Sequence, residues 1–387
     1  MKLTPQERAI LSQLRADPLL DAAGLADRLG TTRAAVSVAL SNLTRKGAIL
    51  GRGYVVRAEA GVVVVGGAVM DVKARSTARL DRATSNPGEV ATNPGGVGRN
   101  IAENLARLGT STQLVAAVGT DSFGEELLTH TRSAGVSLDH VVVGPRPTGT
   151  YLAVLDHEGD LAVAVSDMSA TDALTVADVE PARALVQHCD LLVVDGNIPL
   201  VVASWLADVA TTAGVPVVVE PVSVVKARRL RPLFVPTRPV LAVTPNIAEL
   251  AALVDREVAD TVPAISRAAA ELHALGVRHV WVRRGARGSL LSSAAEPGGA
   301  GAGGAGGTAR PAVTTDTTIS TDVVDVTGAG DSMTAGFVHA LLRDDDAVAA
   351  AAFGQATAAL TTESVHTVRP DLTHALVTGR LTSQGTP

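Results

Sequence analysis

The chain has 387 residues, 46% apolar and 19% charged, so it can bury a sizeable core; with only 2% aromatics that core must be built from Val, Ala and Leu. Its net charge of −6 is uneven: residues 1–57 hold nine Lys/Arg against four acids, a net of +5, which leaves −11 for the rest and suits a small basic part that meets nucleic acid. A single cysteine, Cys189, excludes an internal disulfide and points to a reducing cytoplasm, while the longest apolar run, residues 61–70, is too short for a bilayer and no export pattern opens the chain.

In chain order, Thr4 caps a first helix with Pro5 at its first position and Glu7 three residues on, and Ile10, Leu11 and Leu14 form its inward stripe. Residues 21–29 make a second short helix, with Leu25, Ala26 and Leu29 inward and Gly30 as its stop. Thr31 or Thr32 caps a third, residues 33–46, with Val36, Leu40 and Leu43 inward and Gly47 at its end. Residues 48–50 and 54–56, joined through Gly51-Arg52-Gly53, read as a β-hairpin. Three helices and a hairpin with a basic tip resemble a winged helix-turn-helix domain. That resemblance places Thr32, Arg33, Ser37 and Ser41 on the exposed face of the recognition helix and Arg52 on the wing, against double-stranded DNA. The plainer alternative is a small helical interaction module. Residues 58–60 are a linker.

From residue 61 the pattern changes. Apolar β-branched runs at 61–67, 114–118, 191–194, 215–219, 240–243 and 279–282 read as buried parallel strands. Helical patterns lie between them, at 101–108, 200–213, 247–253 and 262–275. Alternating β and α implies an α/β, doubly wound, mostly parallel sheet with ligands at the carboxyl ends of its strands. Two segments, 71–93 and 148–165, are more alternating and polar and suit a small β lid. Residues 294–309 are a Gly/Ala low-complexity stretch expected to form a flexible loop; no helix or lysine follows, so it is not a phosphate loop.

Two glycine clusters carry the chemistry. Asp325-Val326-Thr327-Gly328-Ala329-Gly330-Asp331-Ser332 follows a strand-like run, 319–326, and opens a helix at 332–342. Unpaired backbone N–H groups and the helix dipole make such a turn an anion site. A carboxylate there repels an anion, unless it takes a proton from a hydroxyl that attacks phosphorus. Pro94-Gly95-Gly96-Val97-Gly98-Arg99-Asn100 likewise runs into an amphipathic helix, and its glycines allow close approach to a ligand.

In order and spacing, these two elements resemble the signatures of the PfkB (ribokinase-like) carbohydrate kinases. Softer strings resemble the pseudouridine kinase branch: Ser85-Asn86-Pro87-Gly88, Ile101-Ala102-Glu103-Asn104-Leu105-Ala106, Ser166-Asp167-Met168, Glu220-Pro221-Val222-Ser223 with Lys226, and Pro370-Asp371-Leu372. The resemblance covers about residues 61–381. It implies a ribokinase-like fold with a β lid that often mediates dimerisation, hence a homodimer. The implied reaction is ATP-dependent phosphorylation of the pseudouridine 5′-hydroxyl with Mg²⁺, with room for a monovalent cation. Another sugar or nucleoside as substrate, or a regulator whose kinase body only senses ligand, are the alternatives.

The resemblance also implies site roles. Asp331 is the base and the N–H groups of Gly328, Ala329 and Gly330 hold the transferring phosphate; a helix cap is the plain alternative for Asp331. Asp71, Gly95, Gly96, Arg99 and Asn100 face the sugar, against turn, cap and surface roles. Ser166, Asp167 and Lys226 select the base, with a surface turn equally open for Asp167. Asn246 and Glu249, with Glu220, organise Mg²⁺ mostly through water; an ordinary capping pair is the alternative for Asn246 and Glu249. Asn246, Thr327, Gly285, Arg287, Gly288, Phe353 and Ala356 are assigned to ATP, although helix core is the default for the last two. Two departures stand out: Thr244 occupies a position where many relatives carry Lys, and Glu220 one where many carry Asp.

Overall fold

The computed structural model describes residues 3–17, 20–49, 61–294, 312–316 (main chain only) and 322–383. The chain divides into two compact units, Met1–Ala60 and Gly61–Pro387.

In the first unit, α1 (Pro5–Ala16) starts with a full capping box between Thr4 and Glu7. Helix α2 (Ala22–Leu29) is capped by the Asp21 carboxylate and ends at Gly30 in the left-handed region. Helix α3 (Arg33–Arg45) is capped by the Thr32 hydroxyl. Ile10, Leu14, Leu25, Val36 and Leu43 are fully buried between the three. Lys46 closes the unit on Glu7 at 2.8 Å. Thr32, Arg33, Ser37 and Ser41 lie on the exposed side of α3, together with Val38. The hairpin beyond residue 49, Arg52 and the linker lie outside the described residues, as does nearly all of the Gly/Ala stretch.

The second unit is built on strands whose period-2 burial feeds two cores. Its strands are β1 (Val62–Val65), β2 (Val69–Ser76), β3 (Gly88–Gly95), β4 (Thr112–Val115), β5 (Ala117–Gly119), β6 (Val142–Gly144), β7 (Gly149–Leu155), β8 (Leu161–Asp167), β9 (Leu191–Asp195), β10 (Val217–Glu220), β11 (Val240–Val243), β12 (Val277–Arg283), β13 (Ser289–Ser293) and β14 (Ala312–Asp316). The main sheet runs β14-β13-β12-β11-β10-β9-β1-β4. It is parallel from β4 to β12 and antiparallel at the β12–β13–β14 edge. Val63 and Val65 pack into one apolar layer and Val62 and Val64 into the other, as side chains that alternate across a strand must. Cys189 is buried in the first layer, and burial pushes its thiol up to about 12.

The expected lid is a four-stranded sheet, β3-β2-β7-β8. Its register aligns Asn93, Asp71, Tyr151 and Ser166 in one row, so all four share a face. The next row, Thr92, Val72, Leu152 and Val165, belongs to the other face, where Val90, Leu152, Val163 and Val165 are exposed.

Three expectations need correction. The run 114–118 is not one strand: it breaks at Ala116, and β5 pairs with β6 in a separate two-stranded sheet. Of the strand-like run 319–326, the described part, 322–326, forms no strand; the edge strand is β14 instead. The helix after the Gly-Ala-Gly turn begins at Ala329, three residues early, because Gly328 already sits in the N-cap position.

Candidate active site

Gly328 has φ +80, and a Cβ there would collide with the carbonyl of Thr367, so only glycine makes this turn. The turn is held from behind: the Thr327 N–H and hydroxyl both donate to Asp325, at 2.8 and 2.6 Å. Thr327 thus uses its side chain inside the loop and does not present it to a nucleotide. Lys73 of the lid approaches the other Asp325 oxygen at 3.4 Å. The N–H groups of Gly328, Gly330 and Asp331 have no acceptor among the described residues. That of Ala329 does, the Val326 carbonyl at 3.2 Å. The open cradle therefore differs from the expected Gly-Ala-Gly set by one member, the amide of Asp331 taking the place of that of Ala329.

Asp331 is the third residue of the helix Ala329–Leu342, not its cap. Its Oδ2 accepts from Asn100 Nδ2 at 2.7 Å, and its Oδ1 has no donor among the described residues. Burial pushes its pKa up to about 7; Glu220 and Asp195 add to that, while Asn100 and Arg283 oppose it. A carboxylate poised there is suited to accept a proton near neutrality.

Asn100 belongs to α4 (Val97–Arg107), which starts at Gly96 with φ +94. Arg99, expected at the sugar, lies behind it instead. It is buried, and its guanidinium donates to the Gly95 carbonyl at 3.0 Å, to Glu103 and to the Asn100 amide oxygen. A guanidinium only donates, so the Asn100 oxygen must face Arg99 and its NH₂ must face Asp331. Glu103, also buried, is held in turn by Arg107 at 2.6 Å. Asp71 and Asp331 both act on the charge of Arg99, which puts the lid carboxylate in the same field. Burial raises Asp71 to about 6 against the pull of Arg99 and Lys73.

The carboxyl ends of β10, β11 and β12 bring Glu220, Thr244 and Arg283 together. Both Glu220 oxygens are taken: Arg283 donates at 2.6 Å, the Val222 N–H at 3.3 Å, Thr244 at 2.7 Å and Thr334 at 2.9 Å. Asn246 and Glu249 form a reciprocal capping box, the plain alternative for this pair, and Glu249 Oε2 also meets Arg283 at 3.2 Å. Glu249 Oε1 is left without a protein donor among the described residues. Burial, with Glu220 nearby, raises the Glu249 pKa, and Arg283 opposes this. Of the expected metal set, then, Glu220 is saturated by protein and Glu249 keeps one uncommitted oxygen. That donor set fits Mg²⁺ only as an ion that keeps its waters and takes its other ligands from phosphate.

A cavity of about 320 Å³ opens beside the cradle, lined by Ala329, Gly330, Arg283, Gly285, Gly288 and, along one helix face, Gln355, Ala358, Ala359 and Thr362. Gly285 and Gly288, assigned to ATP, line this cavity. Phe353 and Ala356 do not: they point into the core, where Phe353 stacks on His374. Arg287 is exposed and paired with Asp260, outside the lining.

For the base, Lys226 reaches a polar cluster absent from the sequence reading. Its ammonium donates to Asn197, beside the fully buried Asp195, whose Oδ2 accepts from the Gly67 N–H at 2.9 Å. Burial lowers the Lys226 pKa and raises that of Asp195. The signal for Asp195 and Asn197 was a carboxylate and an amide right after a strand at the ligand end of the sheet. Ser166 shares the lid face of Asp71, but Asp167 falls on the opposite face and accepts from Ser169 N–H at 2.8 Å, a surface turn.

The family model for pfkB family carbohydrate kinase matches residues 59–374, and that for Winged helix-turn-helix DNA-binding matches residues 3–49. The chain is 33% identical over 317 residues to the pseudouridine kinase of Escherichia coli K12, covering 82% of this chain and 95% of that one. It is 26% identical to the pseudouridine kinase of Arabidopsis thaliana, over 82% of this chain and 94% of the other. Among solved structures, Arabidopsis thaliana ribokinase complexed with ribose and ATP superposes with a TM-score of 0.69 at 24% identity, over 83% of this chain and 98% of that chain, a likeness of fold. The sheet, the two glycine turns and these matches together make the chain a kinase that belongs to the pfkB family of carbohydrate kinases, with a winged helix-turn-helix match at its N-terminal end.

Proposed function

We propose that this kinase phosphorylates the 5′-hydroxyl of pseudouridine with Mg-ATP. The observation that carries the reading is the Asn100–Asp331 hydrogen bond, which ties the sugar-side turn to the acid of the phosphate-side turn at 2.7 Å. In this reading the ribose 5′-oxygen bonds to the γ-phosphorus as its bond to the β–γ bridging oxygen breaks. The electron pair leaves with ADP, and the proton passes to Asp331 Oδ1. The free amides of Gly328, Gly330 and Asp331 face the charge that develops on the transferring group. Glu249, through its uncommitted oxygen, would help to hold a hydrated Mg²⁺, which when bound would supply charge neutralisation on the phosphates. Identity to two pseudouridine kinases along most of the chain supports the nucleoside, and Lys226 with Asn197 is the polar pair best suited to read a base. A coupled assay over pseudouridine, uridine, adenosine and ribose tests it: pseudouridine should give the highest kcat/KM, and best turnover on ribose overturns the assignment.

The N-terminal unit binds double-stranded DNA through α3 in the same reading, giving the enzyme a linked transcriptional role. Arg33, Ser37 and Ser41 on one exposed helix face, on a basic segment, support it. Arg33→Ala should weaken binding across sequences and reduce the salt slope by about one. Salt-insensitive or absent binding by the intact chain, measured by fluorescence anisotropy, removes the role. The exposed Val90, Leu152, Val163 and Val165 on the outer lid face support a homodimer, which sedimentation tests directly.

A further inference from the structure

Arg283 has an unusual setting for a residue at a strand end. Its backbone N–H is fixed on the Pro245 carbonyl at 2.8 Å, and its side chain reaches across the carboxyl ends of β10 and β11. Only Nη2 is occupied by protein, with Glu220 at 2.6 Å and Glu249 at 3.2 Å. Nη1 and Nε have no acceptor among the described residues. Nη1 lies directly over the phosphate-side turn: a Cβ placed on Gly330 would stand 2.5 Å from it. Arg283 is also the one charged side chain among the described residues that line the cavity. The neighbouring Thr244 is neutral, and its buried hydroxyl donates to Glu220.

A guanidinium clamped on one side by two carboxylates and open on the other is a pre-oriented donor, and its planar fork matches phosphoryl oxygens. We propose that Arg283 is a catalytic residue, whose Nη1 and Nε donate to the transferring phosphoryl group of ATP and complete, as a cation, the cradle that the Gly328, Gly330 and Asp331 amides begin. The inference rests on the kinase reading of this site and adds to it the group that discriminates triphosphate from diphosphate. Charge on the equatorial oxygens grows as the γ-phosphorus passes to the substrate oxygen, and a fixed cation there favours that state over the ground state. The Gly330 position also becomes intelligible: any side chain would occupy the guanidinium's place.

The competing role is structural, with Arg283 doing no more than neutralise Glu220 and Glu249. Titration of the full chain, with Mg²⁺, by the non-hydrolysable β,γ-imido analogue of ATP and by ADP separates the two. In Arg283→Gln, affinity for the imido analogue should fall roughly tenfold or more while that for ADP changes by less than about threefold. Nucleoside affinity should hold, and kcat should drop roughly 100- to 1,000-fold. Arg283→Lys should recover part of the analogue affinity. Should Arg283→Gln fold poorly, the double variant Glu220→Gln with Arg283→Gln removes the unbalanced charge and carries the same readouts. Equal losses for ADP and the analogue, or unchanged kcat in a folded variant, overturn the proposal. A mistaken nucleoside would show as turnover on a different substrate with the triphosphate preference intact, so the two failures are distinguishable.

Discussion

The two glycine turns that meet at the site use the same backbone device to opposite ends. Each places a glycine with positive φ, Gly96 at +94 and Gly328 at +80, immediately before a helix. At the first, the Arg99 N–H is taken by the Gly67 carbonyl at 3.1 Å, those of Val97 and Gly98 have no acceptor among the described residues, and Arg99, Asn100 and Glu103 are buried. That turn presents side chains. At the second, three amides remain open and the side chains of Thr327 and Asp325 serve the turn itself. That turn offers its amides together with one carboxylate, Asp331. The difference teaches that a glycine turn before a helix leaves amides open in either case; what separates the two turns is the side chains they carry, buried Arg99, Asn100 and Glu103 at the first and the single carboxylate of Asp331 at the second.

Three changes would break or sharpen this contrast. The largest effect is expected from Asp331→Asn, which keeps the shape of the open turn but removes the base: kcat should fall roughly 100- to 10,000-fold with nucleoside affinity retained, read by stopped assay and calorimetry. Substantial turnover would place proton removal elsewhere. Next, Gly328→Ala forces a Cβ against the Thr367 carbonyl and misplaces the amides. A kcat loss of roughly 100- to 1,000-fold is expected. Stability should also drop by about 1 kcal/mol or more in thermal unfolding. The mildest is Asn100→Leu, which alters the first turn and removes its hydrogen bond to Asp331 in the second. Asn100 holds the Asp331 pKa down, so its loss should lift that pKa above about 7 and move the acid limb of kcat/KM to higher pH. Activity should fall on the order of tenfold at pH 7 and recover in alkali. An unmoved acid limb would mean Asp331 does not set it.

Much of this was legible in the residues. Buried strands announced themselves as valine runs, and the helices of the first unit by their caps and stripes. Asp331, Asn100 and the glycines were named from the resemblance that the two glycine elements carry. What escaped depended on which strand ends lie side by side. Arg283 was missed because it joins Glu220 and Glu249, which the sequence had already grouped, only where β10, β11 and β12 lie adjacent and parallel. Asp195 was hidden for the same reason. The wall of the cavity was misread because the apolar residues of its helix, Phe353 and Ala356, serve the core, while the face opposite, with Gln355 and Ala358, meets the ligand space. Arg99 was misjudged because a charged residue reads as exposed until its partner one helical turn on, Glu103, is itself found buried.

The solitary thiol of Cys189 has a practical consequence. Sealed in the sheet's apolar layer with its ionisation pushed to about 12, it will scarcely react with maleimides near neutral pH. A cysteine introduced at the tip of the β7–β8 hairpin, by Glu158→Cys, would therefore be the single labelling handle on an otherwise unaltered chain. A fluorophore there could report how far that hairpin travels when nucleoside arrives.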